Sequence, residues 1–229
     1  MIIDYSNIER CARRLGARYA KVIKDRRFMI SFGISLVFLI LSLAANLLSG
    51  YYATERASNA VSDIVLSNIP VFDVDGIFVT GPIIFWLIII LICLNDPKKI
   101  PFWLKSVALF VFIRSAFVSL THIGPFPDHV LVDSFSLIKS INFYIFSSGA
   151  DLFFSAHTGL PYLMALLFWD NAPVRMFCLA SSIFFGIVVL LGHLHYSIDV
   201  ISAYFITYTI YHIARDVFPE DLRRFLGEG

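Results

Sequence analysis

The chain has 229 residues, of which 58% are hydrophobic, 16% aromatic and only 15% charged. A soluble domain usually has about 25% charged residues and about 45–50% apolar ones, so this chain carries more apolar side chains than one soluble core can bury. The composition excludes a water-soluble globule, a nucleic-acid-binding protein and a disordered chain, and it indicates a polytopic membrane protein. The net charge of +1 says little, because the 18 basic and 17 acidic residues are segregated along the chain.

Residues 1–27 form a basic segment that precedes the first long apolar stretch. Its apolar residues recur at helical spacing among arginines and lysines: Ile8, Cys11, Leu15, Tyr19 and Val22. This pattern predicts an amphipathic helix lying on an anionic cytoplasmic leaflet. The apolar stretch that follows is longer than the apolar region of a signal peptide, so we expect an uncleaved anchor.

A membrane span needs about 20 mostly apolar residues. The sequence predicts six transmembrane helices, at residues 28–49, 77–94, 104–123, 152–169, 176–192 and 198–213. A further apolar stretch at residues 134–147 is short and contains Lys139 and Asn142, so we interpret it as interfacial or re-entrant. The prediction is thus an all-α polytopic membrane protein with one domain at 28–213, after the basic segment 1–27 and before a tail at 214–229.

The lysines and arginines predict the orientation of these spans. Fifteen of them lie before the first span, around Lys98, at Arg175 or in the tail, whereas the opposite loops contain only Arg56 and Lys139. Basic residues accumulate on the cytoplasmic side of membrane proteins. Both termini are therefore predicted to be cytoplasmic, and the three other loops to face the exoplasmic (periplasmic or lumenal) side.

Polar residues of the predicted spans collect at the outward membrane face. His157 opens span four, His193 and His195 close span five, Asp199 opens span six, and Arg114 lies in the outer half of span three. Polar side chains inside a membrane are costly, so they usually have a function or a partner. Their convergence on one side and one depth indicates a common site.

The types of these residues suggest phosphoryl chemistry. His195 and Asp199 are four residues apart, which places them on one helical face, where a carboxylate can orient an imidazole. His157 follows Ser155 near a predicted helix N-terminus, and such termini favour anions. One imidazole could attack phosphorus and the other could protonate the leaving alkoxide, while Arg114 offsets the charge of the phosphate.

Three alternatives stay open from the residues alone. A buried His-x-x-x-Asp pair such as His195 and Asp199 is often structural. The same pair could bind zinc together with His193 and His157. Arg114 could form an ion pair that packs helices, with Asp73 or Asp75 as its partner.

Two segments resemble the active-site motifs of sphingomyelin synthases. Residues 149–158, GADLFFSAHT, resemble CGDxLFSGHT, and residues 190–200, LLGHLHYSIDV, resemble AHxHYTxDV. That family is part of the lipid phosphatase/phosphotransferase superfamily, which includes the type 2 phosphatidic acid phosphatases. The resemblance is strong over residues 149–212 and weaker upstream, where residues 70–73 loosely match a PLPD element.

The resemblance implies a role for each matching residue. His195 would be the nucleophile that becomes phosphorylated, Asp199 its orienting carboxylate, and His157 the acid that protonates the departing lipid alcohol. No metal and no cofactor are implied. We predict these substrate-binding residues: Arg114, Asp151, His193, Ser155, Tyr196 and Asp73.

The sequence also departs from the related patterns. Ala156 replaces the glycine of the synthase motif, and Val189 stands where the phosphatase branch has an arginine six residues before its second histidine. The phosphatase element KxxxxxxRP is missing as well. A phosphomonoester carries about two negative charges near neutral pH and a phosphodiester carries one. A site with few cations therefore favours a diester such as phosphatidylcholine or phosphatidylethanolamine, whose cationic headgroup could meet Asp73, Asp75 or Asp151.

The predicted function is transfer of a phosphorylated headgroup, phosphocholine or phosphoethanolamine, from a membrane phospholipid donor to a lipid alcohol acceptor such as ceramide or diacylglycerol. If water is the acceptor, the same residues would make a phospholipase C or a lipid phosphatase. A non-enzymatic lipid-binding or transport protein is the alternative of another class. It predicts that His195→Ala leaves function intact.

Overall fold

The computed structural model describes residues 5–130 and 152–228, and in the first helix it describes side chains from Arg13 onward. All regular structure in these two ranges is helical. The short stretch at 134–147, interpreted from sequence as interfacial, lies outside the described residues. The α-helices are α1 (Tyr5–Ile23), α2 (Arg26–Glu55), α3 (Asp75–Leu94), α4 (Ile100–Leu120), α5 (Ala156–Leu167), α6 (Ala172–Leu191), α7 (Ser197–Val217) and α8 (Pro219–Leu226).

Four segments among the described residues are long and apolar enough to cross a membrane: α2, α3, α6, and α4 together with the 3-10 turn before it, Pro97–Leu120. These helices support an integral membrane protein.

Two further predicted spans correspond to helices that are shorter or less apolar. Helix α5 has only 12 residues, which is about 18 Å of helix against a hydrocarbon core of about 30 Å. It begins at Ala156 and not at residue 152. Helix α7 is long enough, but its tyrosines, threonines and Asp199 make it less apolar. The topology of six spans with both termini cytoplasmic stays a prediction.

Local signals in the sequence set the starts of the helices. The side chain of Asp25 accepts hydrogen bonds from the backbone N–H groups of Arg27 and Phe28, at 2.9 and 3.3 Å, and thereby caps α2. Asn171 caps α6 in the same way, through the N–H of Val174, and Pro173 occupies the first turn of that helix. These contacts satisfy donors that would otherwise be unpaired at a helix start.

Helix α4 lies at the centre of the bundle and positions α5. It packs along α2 and contacts α5, α7 and α8, and Phe102 and Phe110 on it are fully buried. Gly159 allows α5 to approach closely, because a Cβ there would lie 2.8 Å from both the Phe110 ring and the Thr207 hydroxyl. This close packing fixes the first turn of α5, which carries His157.

The predicted amphipathic helix is present as α1, but the described part of its apolar stripe faces protein. Val22 is buried, and Leu15 and Tyr19 are half-buried. The Tyr19 hydroxyl donates to the carbonyl of Leu94, and Arg18 donates to the carbonyl of Asn95, both at 2.9 Å. These carbonyls lie at the C-terminus of α3, where no intrahelical donor is available. The described part of the stripe therefore caps α3 and packs against the bundle, while the predicted contact of α1 with the leaflet stays a prediction.

A buried ion pair attaches the C-terminal helix to the bundle. The Lys105 ammonium on α4 lies 2.5 Å from Asp221 Oδ2 on α8 and donates to the Ser31 hydroxyl on α2 at 2.9 Å. Ser31 in turn donates to Asp221 Oδ1 at 2.7 Å. Lys105 and Asp221 are 7% and 5% exposed, so three helices meet at charges that water barely reaches.

We expect Asp221→Ala to lower the free energy of unfolding by about 3–5 kcal/mol, because it leaves the Lys105 ammonium buried without its counter-ion. The double variant Lys105→Met/Asp221→Leu should recover most of that loss, since it removes both charges. The measurement is thermal unfolding in one detergent, with the exposed Asp216→Ala as control. A double variant as unstable as Asp221→Ala would show that the packing of α8, and not the charge, is what matters.

Candidate active site

His195, in the turn between α6 and α7, forms a hydrogen-bonded pair with Asp199 in the first turn of α7. His195 Nδ1 lies 3.2 Å from Asp199 Oδ2, and the backbone N–H of Tyr196 donates to the same oxygen at 3.1 Å. Asp199 is fully buried and His195 is 5% exposed. An Nδ1–H that donates to the carboxylate leaves Nε2 with its lone pair available, which is the state a nucleophilic imidazole requires.

His157 occupies the second position of α5. Its ring stacks on Phe78 of α3, with the centroids 4.2 Å apart and the planes 23° from parallel, and it meets the edge of Phe185. The backbone of Phe78 is within hydrogen-bonding range of the ring, and the charges of His195 and Arg114 act on it. The structure thus brings together His157 of α5, Arg114 of α4 and His195 of the turn before α7.

A backbone hydrogen bond at the N-terminus of α5 connects the segment that contains His157 with the segment that contains His195 and Asp199. The backbone N–H of Ser155 donates to the carbonyl of Asp199 at 3.1 Å. The Ser155 hydroxyl is fully buried and makes no hydrogen bond with the described residues. An unpaired hydroxyl beside a helix N-terminus suits a bound anion. Asp151, predicted to bind substrate here, lies outside the described residues.

Arg114 is held beside the start of α5. Its Nε donates to the carbonyl of Phe154 at 3.2 Å, and its Nη1 donates to the side-chain oxygen of Asn46 on α2 at 3.3 Å. It is 3% exposed. Asp73, one of the partners considered from sequence, lies in an exposed turn before α3 and accepts the backbone N–H of Asp75 at 3.2 Å. Asp73 stays a prediction as a substrate-binding residue.

The backbone is strained just before each of the two active-site histidines. Phe154 has φ 26° and His193 has φ 52°, and these are the non-glycine residues with positive φ in the described ranges. Such conformations cost about 1–3 kcal/mol and collect at functional sites. Phe154 lies three residues before His157, and His193 lies two residues before His195.

His193 faces the loop at 121–130. Its Nδ1 lies 2.6 Å from the carbonyl of Asp128, and its ring meets Phe126 edge-on at 5.2 Å. Its Nε2 is buried without a partner among the described residues. In the two described ranges, no group of three or more His, Cys, Asp or Glu side chains is arranged to hold a metal ion, so the geometry there does not favour the zinc alternative.

Tyr196 connects the loop before α3 with the loop after α4. Its hydroxyl accepts the backbone N–H of Val61 at 3.2 Å and donates to the carbonyl of Gly124 at 2.8 Å. The side chain is 2% exposed. Both hydrogen bonds of this hydroxyl go to protein, so the structure gives Tyr196 a role in holding the loops, while contact with substrate stays a prediction.

Three residues of the site region were not predicted from the sequence: Asn46, Asp63 and Phe78. Asn46 is an isolated polar residue in an apolar stretch, and this pattern could have indicated a buried partner for Arg114.

Asp63 stands three residues before Leu66 at the start of a short turn, a spacing typical of a cap. Burial alone would raise the pKa of Asp63, but hydrogen bonds from Leu66, Ser197 and Val65 outweigh this and lower the pKa. Asp63 is therefore ionised at neutral pH. Nothing in the sequence marked Phe78.

An apolar cavity of about 470 Å³ opens beside His157. It lies between α2, α3, α4, α5 and α6, and its lining extends from Pro82 to Ile90 on α3 and from Trp103 to Val111 on α4. Eight residues of helix correspond to about 12 Å of length. Among the described residues of the lining, His157 is the one ionisable side chain, so the cavity provides a long apolar space with an imidazole in its wall.

Comparison with known proteins gives one match. Residues 149–216 match the family model described as PAP2 superfamily C-terminal. The matched segment contains both histidine segments, His157 and His195, together with Asp199. No curated protein and no solved structure matches the chain. The match covers less than a third of the chain, so the similarity to the PAP2 superfamily is shown for this segment.

Proposed function

We propose that the protein is a sphingomyelin synthase-like lipid phosphotransferase. It moves a phosphorylated headgroup, phosphocholine or phosphoethanolamine, from a glycerophospholipid to a lipid alcohol such as ceramide or diacylglycerol. The observation that supports this most is the backbone hydrogen bond from Ser155 to Asp199, which links the start of the His157 helix to the His195–Asp199 pair at the edge of an apolar cavity. That arrangement offers a nucleophile, an acid and a space for a lipid chain in one site.

In the first half-reaction, His195 Nε2 attacks the phosphorus of the donor lipid. A nitrogen–phosphorus bond forms while the bond from phosphorus to the diacylglycerol oxygen breaks. That oxygen takes a proton from His157, so diacylglycerol leaves as a neutral alcohol. Asp199, which holds Nδ1 of His195 at 3.2 Å, stabilises the positive charge that develops on the ring.

The second half-reaction reverses these steps with another alcohol. The acceptor hydroxyl gives its proton to His157, and its oxygen attacks the phosphohistidine. The nitrogen–phosphorus bond breaks and His195 returns to its starting state. The backbone of Phe78 and the stacked ring hold His157 in place, so the same imidazole can serve both alcohols.

Arg114 and the N-terminus of α5 are the proposed phosphate-binding groups. The guanidinium is anchored on Phe154 and Asn46, and the buried Ser155 hydroxyl lies one residue beyond Phe154 with no partner in the described ranges. A guanidinium, a hydroxyl and a helix N-terminus stabilise an anion, and they do so more strongly as charge builds up in the transition state. One guanidinium matches the single charge of a phosphodiester better than the double charge of a monoester.

The identity of the acceptor separates this proposal from its nearest alternative. With water in place of the lipid alcohol, the same steps give a phospholipase C or a lipid phosphatase. Purified protein incubated with phosphatidylcholine or phosphatidylethanolamine, with and without ceramide, would distinguish them by lipid mass spectrometry. Transfer yields a new phosphosphingolipid that depends on ceramide, whereas hydrolysis yields a free phosphorylated headgroup in both samples.

We predict that Ala substitutions of His157, His195 or Asp199 each reduce turnover by on the order of 10³-fold, because the three side chains act as one unit. Combining any two should add little. The measurement is the initial rate with one phospholipid in one detergent. Strictly additive losses, or activity that survives in His195→Ala, would contradict the shared mechanism and favour the non-enzymatic alternative.

Substitution of Arg114 tests the preference for a singly charged phosphate. Arg114→Lys keeps the charge but loses the planar pair of donors, so we expect it to impair turnover, and Arg114→Ala to impair it further. In the unmodified enzyme, phosphatidylcholine and phosphatidylethanolamine should react faster than phosphatidic acid. The difference should narrow as the pH falls through the second pKa of the monoester near ~6. The measurement is initial rates from pH 5 to 8. Phosphatidic acid reacting fastest at every pH would identify a lipid phosphatase.

The proposed exoplasmic position of the site is tested by thiol labelling of intact cells. The side chains of Asp128 and Asp170 are both exposed, and the predicted topology places them on opposite sides of the membrane. An impermeant thiol reagent should label Asp128→Cys and not Asp170→Cys. Cys93 and Cys178 are buried and should stay unlabelled. The reverse pattern would place the site on the cytoplasmic side.

A further inference from the structure

We infer that Asp63, in the loop between α2 and α3, is a positioning residue for the nucleophile His195 and acts through the first turn of α7. The inference rests on the proposed function, because it assigns to Asp63 an effect on the reactivity of His195. It adds to the site a carboxylate that neither active-site motif contains.

The hydrogen bonds of Asp63 divide between its two carboxylate oxygens. Oδ1 accepts the backbone N–H groups of Val65 and Leu66, at 2.8 and 3.1 Å, and so closes the turn of its own loop. Oδ2 accepts both the backbone N–H and the hydroxyl of Ser197, at 2.7 and 2.8 Å. Closing the local turn would need only Oδ1. Oδ2 instead accepts from Ser197, which is 134 positions away in the chain.

Ser197 is the first residue of α7, where a carboxylate is most effective. Its backbone N–H has no partner within the helix, and the helix N-terminus carries partial positive charge. Asp199 satisfies the N–H of Tyr196, and Asp63 satisfies the next one along the chain. Two carboxylates therefore fix two consecutive N–H groups, immediately after His195.

The same loop makes a second contact with this turn. The N–H of Val61 donates to the hydroxyl of Tyr196 at 3.2 Å. Tyr196 directly follows His195. It is held by the hydrogen bond of its backbone N–H to Asp199 and by that of its hydroxyl with Val61, and the next residue, Ser197, is held by Asp63. A small rotation of that turn would move the imidazole away from Asp199, whose 3.2 Å contact sets the ring orientation.

Asp63→Asn tests the inference while keeping the size of the side chain, because an amide has one acceptor oxygen and cannot accept from both Ser197 and the Val65–Leu66 turn. Either its NH2 group faces the Ser197 donors directly, or it opens the turn of the loop that holds them. We expect kcat to fall by about 10- to 100-fold with KM changed by less than about twofold, since the substrate contacts stay in place. Ser197→Ala, which loses only the hydroxyl contact, should show a smaller fall. Glu55→Gln, which changes an exposed carboxylate of the same outer region, should match the unmodified enzyme.

A second readout does not depend on activity. In detergent micelles, the ¹H–¹³C ring signal of His195 can be identified by its loss in His195→Gln. Asp63→Asn should shift or broaden that signal, whereas Glu55→Gln should leave it unchanged. If Asp63→Asn does not fold, the signal in Ser197→Ala decides in the same way. An unchanged His195 signal would overturn the inference. An unmodified enzyme without activity on any phospholipid would overturn the proposed function, and the ring signal would still decide whether Asp63 positions His195.

Discussion

The site depends on the two hydrogen bonds of Asp199 Oδ2. This oxygen contacts the side chain of one residue and the backbone N–H of the next. Oδ2 lies 3.2 Å from the imidazole of His195 and accepts the N–H of Tyr196 at 3.1 Å. Asp199 is fully buried, so water does not reach the donors of this helix start and the protein has to supply acceptors. The same carboxylate therefore caps α7 and orients the imidazole, and the orientation of the ring follows from the folding of the helix.

A second constraint links this turn to the rest of the site through backbone contacts. The carbonyl of Asp199 accepts the N–H of Ser155, which lies one residue after the carbonyl that accepts from Arg114. Helix α5 is short and is held by its packing on α4 and α7, where Gly159 leaves no space for a Cβ. Backbone hydrogen bonds and helix packing thus connect the segment of His157 with the segment of His195. Strain at Phe154 and His193 persists because the surrounding contacts determine these conformations.

The sequence predicted the parts of the fold that depend on apolar length and on periodicity. The apolar stretches that became α2, α3, α4 and α6 were found, as was the amphipathic helix α1. The contact between His195 and Asp199 was predicted, but as two residues of one helical face, whereas His195 lies in the turn before α7 and Asp199 in its first turn. The contacts of Asp63 with Ser197 and of Asn46 with Arg114 could not be predicted, because each joins residues that are distant in the chain and belong to no periodic pattern. The partners of the α1 stripe were missed for a related reason: an apolar stripe shows that a helix is covered, and not whether lipid or protein covers it.

The buried ion pair at the C-terminal helix has a consequence for the order in which the chain is assembled. Lys105 lies on α4, and its counter-ion Asp221 follows it by 116 residues. During synthesis, α4 is made long before α8, so the ammonium has no carboxylate from α8 while the intervening helices are added. Charged groups at membrane depth are costly without a partner, so Lys105 must stay near water until the last helix arrives. Closing of that end of the bundle is therefore a late event in biogenesis, and a chain that stops before Asp221 would keep a hydrated ammonium where the finished protein is dry.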